Sequence, residues 1–585
     1  MAQFFKYFFA ALLALIVFSV LSFFLLIGIA GALASKDAVQ LEAHSVLYLD
    51  LSKPLQEQSK ENPFAPLTGD EPYTQPGVYD LIQLLDHAAY NDQIDGLYLK
   101  IGGNANGFAT NEELRSAIGS FKDAGKFVLA YGEVIPQQAY HVATKAEKIY
   151  CHPKGGLDWT GLGLEYIFFK KALDRLDIQP QIFYAGKFKS ATEPFREEKM
   201  TEPNKIQSTE LLEGIYSHLL QSTAESRKLS VDDLRKMADS NSLRTAQDAV
   251  RAGLLDGYRY EDEVKEEIKR KTDASSIEKI KFVSLSKYAE AVSALSGKGT
   301  DRITVIYAQG DIVDGEGSEE QIGGNKFRTY IRKARLDDKT KAIVIRINSG
   351  GGSAMASENM WREIELAKKD KPVVVSFGDV AASGGYYMAC NADSIFVLPN
   401  TITGSIGVFS IIPNMQGFFS EKLGVTFDGV ETGPYANAPT VTEPLSPMQK
   451  RYLQEGVDSI YHTFLSRVAE GRKMTVAAVD SIGQGRIWTG TQAIKLGLAD
   501  RIGGMDAAME AAASLAKLES YRIRQFPERQ NWLEKLTGNF SQNVAKNKLK
   551  EEIGSDWYKL YEEWKAMQAS FGKTQAKLPF QLLFK

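Results

Sequence analysis

Short apolar runs alternate with amphipathic stretches along most of this chain, and the alternation occurs twice. Residues 44–50 read as a strand, and residues 303–309 read as its counterpart. Residues 126–131 and 372–377 are apolar runs of buried-strand character, and residues 111–122 and 357–369 are helical in period. Strand–helix–strand alternation predicts parallel pairing through right-handed crossovers, hence an α/β fold. Residues 97–153 align without a gap with residues 343–399, at an offset of 246. The correspondence resumes at 224–230 with 469–475 and at 249–256 with 493–500. A unit of that size is a duplicated domain, because solenoid periods run to only about 20–50 residues.

The two copies differ where chemistry is expected. The rear copy carries Ala-Ala-Ser383-Gly-Gly where the front copy has Ile-Pro-Gln137-Gln-Ala. The front copy carries Gly-Lys-Phe-Lys189-Ser-Ala where the rear has Gly-Pro-Tyr-Ala436-Asn-Ala. A serine in one half and a lysine in the other imply one active site built from both.

The ends do not follow the repeat. Residues 7–34 contain no charged side chain, long enough to cross a bilayer, which needs about 20 apolar residues. An uncleaved anchor is the expectation, because a secretory signal core runs to only about 7–15 residues. A cleaved signal peptide, with Ala32-Leu33-Ala34 as the cleavage motif, is the alternative. Near the other end Trp557, Leu560, Tyr561, Trp564 and Met567 share one helical face. The expected organisation is therefore an anchor at 1–35, a front repeat domain at 36–297, a rear repeat domain at 298–525 and a helical extension at 526–585.

Composition narrows the function. The formal net charge of −4 gives no reason to invoke nucleic acid. The two cysteines, Cys151 and Cys390, cannot build a disulfide framework and sit in apolar surroundings as buried thiols. No zinc motif, P-loop or dinucleotide fingerprint occurs.

Ser383 lies between an apolar strand and an apolar helix start, where amides at a helix N-terminus lack partners. The Gly384 amide is one such donor for a developing oxyanion. A second glycine run, Arg346-Ile-Asn-Ser-Gly-Gly-Gly-Ser353, follows another strand and supplies the other. The chain has six histidines, His44, His87, His141, His152, His218 and His462, and no Gly-x-Ser-x-Gly elbow. A lysine is then the remaining base. Its usual pKa of about 10.4 must be lowered by burial for it to serve.

Phe-Lys189-Ser-Ala-Thr-Glu-Pro-Phe, the 346–353 glycine run, Ala-Ala-Ser383-Gly-Gly-Tyr-Tyr and Thr-Gly-Ser405-Ile-Gly-Val together resemble the signal peptide peptidase A family in its long, duplicated, membrane-anchored form. The resemblance spans the anchor to about residue 525. It implies tandem Clp protease/crotonase-like domains, a nucleophile at Ser383 and a general base at Lys189. It also implies oxyanion donors at the Gly351 and Gly384 amides and a lysine-orienting hydroxyl at Ser405. One departure is visible: the family's Asn-Ser-Pro-Gly-Gly reads Asn348-Ser349-Gly350-Gly351-Gly352. The implied activity is endopeptidase cleavage of signal-peptide remnants and other short apolar peptides, without cofactor or metal. The implied setting is the bacterial inner membrane, with the body on the periplasmic side and the chain in a homo-oligomer, a tetramer by expectation. A catalytically decayed scaffold and acyl-CoA chemistry of the crotonase kind are the competing readings.

Overall fold

The computed structural model describes residues 2–34, 41–61, 73–75, 77–292, 299–528, 554, 572–578 and 583–584. The apolar alternation of the front half forms a six-stranded sheet, ordered Lys281–Ser284, Ser45–Asp50, Ile94–Lys100, Phe127–Ile135, Lys148–Leu157 and Gly257–Tyr258. Every pairing in it is parallel. Parallel neighbours need crossover connections, and these are the helices Val78–Ala89 and Phe108–Asp123.

The rear half repeats the plan. Arg522–Phe526, Arg302–Gln309, Thr340–Ser349, Val373–Ala382 and Ser394–Val397 pair in parallel, in that order. Gly324–Leu336 and Ala354–Ala367 are its crossover helices. The long helices Glu202–Arg227 and Pro447–Arg472 also correspond. Both end in a left-handed lysine, Lys228 and Lys473, each at φ 56° and ψ 43°. Arg227 and Arg472 then clamp Asp256 and Asp500 in the same way. Side chains buried on these sheets gather into two main cores. One holds Leu97, Leu99, Val128 and Ile149, the other Ile343, Ile345, Val375 and Ile395.

Two features exceed the sequence pattern. The strand predicted at 372–377 runs on to Ala382. Its far end leaves Ser394–Val397 and takes Ile402–Gly404 as neighbour instead, which carries the chain to Ser383. A third, mixed sheet has the order Gln321–Gly323, Asp311–Val313, Gly351–Ser353, Gln575–Lys577, Val408–Asn414 and Gln179–Ala185. It joins strands of both halves to a piece of the C-terminal segment. At the other end Ala2–Ala34 is one helix, and its stretch Gln3–Leu25 has mean hydropathy 2.8 and no burial against the body. The aromatic stripe at 557–567 lies outside the described residues.

Candidate active site

The strand Val373–Ala382 ends at Ser383, which caps the six-residue helix Gly384–Ala389. Ser383 has φ 53° and ψ −114°, a conformation that costs a non-glycine residue about 1–3 kcal/mol. Its amide donates to Gly404 O at 2.8 Å and its carbonyl accepts from Tyr387 N at 2.7 Å, which holds the turn. The front copy has no such elbow: Pro136 enters its helix at φ −63°, and Gln137 folds onto Gly161 N and O.

Lys189 reaches Ser383 from the front half. Its Nζ lies 2.9 Å from Ser383 Oγ, 3.0 Å from Ser405 Oγ and 3.4 Å from Ser405 O. Lys189 is 1% exposed, and Ser383 and Ser405 are fully buried. Burial alone pushes the Lys189 amine well below its ordinary value, with no carboxylate opposing the shift. A neutral amine has two N–H donors and one lone pair. The two oxygens of Ser405 match the donors, and the Ser383 hydroxyl matches the lone pair.

The lysine is fixed by backbone. Lys189 N donates to Gly186 O and Phe188 N to Gln484 O, at 3.1 and 2.7 Å. Gln207 Nε2 donates to Phe188 O and Ser190 Oγ, each at 3.0 Å. Gly485, at φ +77°, packs so closely that a Cβ there would stand 2.6 Å from Lys189 N. Gly485 and Gln207 carry no motif of their own, and no signal in the sequence ties either of them to the lysine loop.

The oxyanion side requires a correction. The Gly351 amide, expected to face the oxyanion, donates instead to Ser349 Oγ at 3.1 Å. With φ +96° at Gly351, the next peptide turns over, and Gly352 presents its amide to the cleft. Gly352 is registered opposite Ala576, in the ladder phase where Leu578 N bonds Gly350 O and Ala354 N bonds Thr574 O. That phase sends the Gly352 amide to Ala576 O. A Cβ on Gly384 would lie 3.1 Å from Gly352 N and 3.0 Å from Ala576 O, and one on Gly351 would lie 2.6 Å from Gly384 N and against Ala576 O, so both amide nitrogens lie close around that oxygen.

A buried ionic cluster braces the two halves behind the site. Arg346 Nε and Nη1 contact Glu57 and Glu113, each at 2.7 Å, and Asn348 Nδ2 donates to Glu57 Oε1 at 2.8 Å. Burial pushes the Glu113 carboxyl up to about 7 against the pull of Arg346. Asp379, four residues before Ser383, accepts from Ala109 N, Thr110 N and Thr110 Oγ1 at 2.9, 2.9 and 2.7 Å. It thereby caps a front-half helix from the rear half. Glu57, Glu113 and Asp379 were not singled out from the sequence, because their partners lie far along the chain.

None of the histidines touches Ser383. His141 and His218 share Glu112 Oε2 in the front half, at 2.7 and 3.1 Å, with Arg115 on the other carboxylate oxygen. Cys151 and Cys390 are both buried free thiols.

Comparison with known proteins agrees with the duplication. A model of Peptidase family S49 matches residues 120–275 and again residues 365–519. The protein named Protease 4 of Salmonella typhi is 34% identical over 479 residues, covering 80% of this chain and 76% of that protein. Protease 4 of Haemophilus influenzae is 32% identical over 496 residues, covering 82% and 80%. The chloroplastic serine protease SPPA of Arabidopsis thaliana is 32% identical over 439 residues, covering 74% and 64%. Two copies of one peptidase domain, aligned across most of their length with these proteases, make this chain a serine protease of peptidase family S49.

Proposed function

We propose that the chain is a membrane-anchored endopeptidase that degrades cleaved signal peptides and other short apolar peptides through a Ser383–Lys189 dyad. The observation that carries this reading is the 2.9 Å approach of a fully enclosed amine to the serine hydroxyl, with no acid nearby to hold the amine charged.

Neutral Lys189 accepts the Ser383 proton as Oγ attacks the peptide carbonyl. The Gly384 and Gly352 amides receive the oxyanion. The Lys189 ammonium, steadied by Ser405, then protonates the departing amine. Water enters, gives its proton to the same nitrogen and frees the acyl group from Ser383. The cleft edges Gly351–Ser353 and Val408–Asn414 are strands, so they take an extended peptide by backbone pairing and exclude folded proteins.

The helix Ala2–Ala34 supports anchoring. In our reading residues 1–35 anchor the chain in the bacterial inner membrane, residues 36–297 and 298–525 are the repeat domains, and the body faces the periplasm. Leu423, Val425, Phe427 and Val430 stand exposed on one loop of the rear half. Apolar surface of that kind favours association and supports a homo-oligomer, read here as a tetramer.

The test is cleavage of a fluorogenic apolar peptide by wild type, Ser383→Ala and Lys189→Ala. Each variant is expected to lose at least about a thousandfold in kcat, and Ser383→Ala to lose labelling by a serine-directed phosphonate. Equal cleavage by all three refutes the dyad.

A further inference from the structure

The two copies differ at one further group of side chains, away from the dyad. Glu112 answers to Glu358 in the rear copy, but His141 stands where that copy has Tyr387, and His218 where it has Thr463. The rear carboxylate is satisfied without imidazole: Tyr387 Oη donates to Glu358 Oε2 at 2.6 Å, and Arg467 Nη2 to Glu358 Oε1 at 2.8 Å. The front carboxylate meets two histidines instead. His141 Nε2 lies 2.7 Å and His218 Nε2 3.1 Å from Glu112 Oε2. The three ligand atoms all lie within 4.8 Å of one another, and among the described residues no other three His, Cys, Asp or Glu side chains are grouped in this way. They come from three separate helices, Glu112 from Phe108–Asp123, His141 from Gln137–Ala143 and His218 from Glu202–Arg227.

We propose that Glu112, His141 and His218 bind a divalent cation of the zinc class, which ties these three helices of the front half together. Two imidazole nitrogens and one carboxylate oxygen are a ligand set that zinc accepts, with a water completing the tetrahedron. Zinc bonds of about 2.0–2.2 Å place tetrahedral ligand atoms about 3.3–3.6 Å apart. The observed contacts are a little shorter, so the cation enters by parting Glu112 from His141 by about 0.6 Å. His218 Nε2 also has the Ser222 hydroxyl at 3.4 Å, a polar group beside the position left for water. Arg115 does not compete for the ligating oxygen. Its Nη1 donates to Glu112 Oε1 at 3.1 Å, while Nε and Nη2 are held by Thr144 Oγ1 and Ser226 Oγ at 3.1 and 3.2 Å. A hydrogen-bonded second oxygen is usual for a ligating carboxylate. The positive charge of Arg115 opposes a cation nearby, which sets the expected affinity in the micromolar range. The His141 side chain is 2% exposed and that of His218 23%, so the cation comes in over His218. The helix Glu202–Arg227 also carries Gln207, which holds the backbone on either side of Lys189. The cation therefore stiffens the support of the lysine loop and takes no part in the chemistry at Ser383.

The experiment uses the full chain in detergent, without a histidine tag, stripped with a chelator and titrated with Co²⁺ and then Zn²⁺. Wild type is expected to bind one Co²⁺ with visible ligand-field bands, which one equivalent of Zn²⁺ abolishes. Its Tm should rise by at least about 3 °C at a hundredfold excess of Zn²⁺ over Kd. The variants His141→Tyr and His218→Thr install the residues of the rear copy, so both are expected to keep the metal-free Tm of wild type. Each should bind Zn²⁺ at least about tenfold more weakly and lose the cobalt bands. Should the buried His141→Tyr fold poorly, the partly exposed His218→Thr decides alone. The proposal is overturned if stripped wild type shows no cobalt bands and no Zn²⁺-dependent rise in Tm, or if His218→Thr binds Zn²⁺ as tightly as wild type.

Discussion

Replacing Ser405 with alanine removes the Oγ acceptor 3.0 Å from Lys189 Nζ and leaves the Ser405 carbonyl at 3.4 Å. Next to a neutral amine the lost hydrogen bond is worth about 0.5–1.5 kcal/mol, and next to an ammonium about 1.5–3 kcal/mol. In the proposed mechanism Lys189 becomes the ammonium as Ser383 attacks. The excess, about 1–1.5 kcal/mol, is therefore stabilisation confined to the transition state, and its loss slows kcat roughly tenfold. The hydroxyl also favours the protonated resting amine, so without it the amine loses its proton more readily. The acid limb of the kcat profile should then move to lower pH while the plateau falls. Both effects are read from one fluorogenic-peptide titration across the acid limb. Ser405 sits at φ 51°, so Ser405→Gly serves as control: it removes the same hydroxyl, relaxes the backbone and should reproduce both shifts. A fall in rate with the limb unmoved would show that Ser405 supports the loop only, and an unchanged rate would remove it from the mechanism.

Four further outcomes follow from the same geometry. Lys189→Met should be inactive yet melt higher than wild type at neutral pH. Burial lowers the folded lysine well below 10.5, so the unfolded chain binds the extra proton, wild-type stability rises with pH through that window, and the methionine's advantage shrinks toward its upper end; an equal or lower Tm at neutral pH refutes a neutral lysine. Gly485→Ala combines a left-handed φ with a clash against the Lys189 backbone, at a cost of about 2–4 kcal/mol, and the displaced amine should cost about a hundredfold in kcat; kcat near wild type refutes the packing argument. Asp379→Ala strips the cap shared by Ala109 and Thr110 and should lower stability to denaturant by about 1–3 kcal/mol, whereas an unmoved midpoint would show that the cap contributes nothing. Deleting residues 2–34 should move the protein from the membrane fraction to the supernatant with peptide cleavage retained; persistent membrane association would place the anchor elsewhere.

The repeat was legible because buried parallel strands demand apolar runs at fixed spacing, and residues 97–101 and 343–347 both supply one. The two residues of the proposed dyad stood out for a different reason: each half kept the residue type that the other had dropped. The choice between Gly351 and Gly352 was not legible, since it depends on which way one peptide faces, and the φ that decides it leaves no trace in three consecutive glycines. Arg346 opens the 346–353 glycine run, but its partners Glu57 and Glu113 are defined only once the halves dock. The strand at 575–577 escaped notice because it has no apolar alternation of its own and gains strand geometry solely from the edges on either side.

The two residues of the proposed dyad, Lys189 and Ser383, lie 194 residues apart in the chain, and this spacing bears on biosynthesis. As the polypeptide emerges, the front half carries an amine that has nothing to activate. The hydroxyl arrives much later, and it becomes reactive only when the late half closes over that amine. A nascent or truncated chain is therefore harmless to its neighbours, and hydrolytic competence reports that the whole molecule has been assembled.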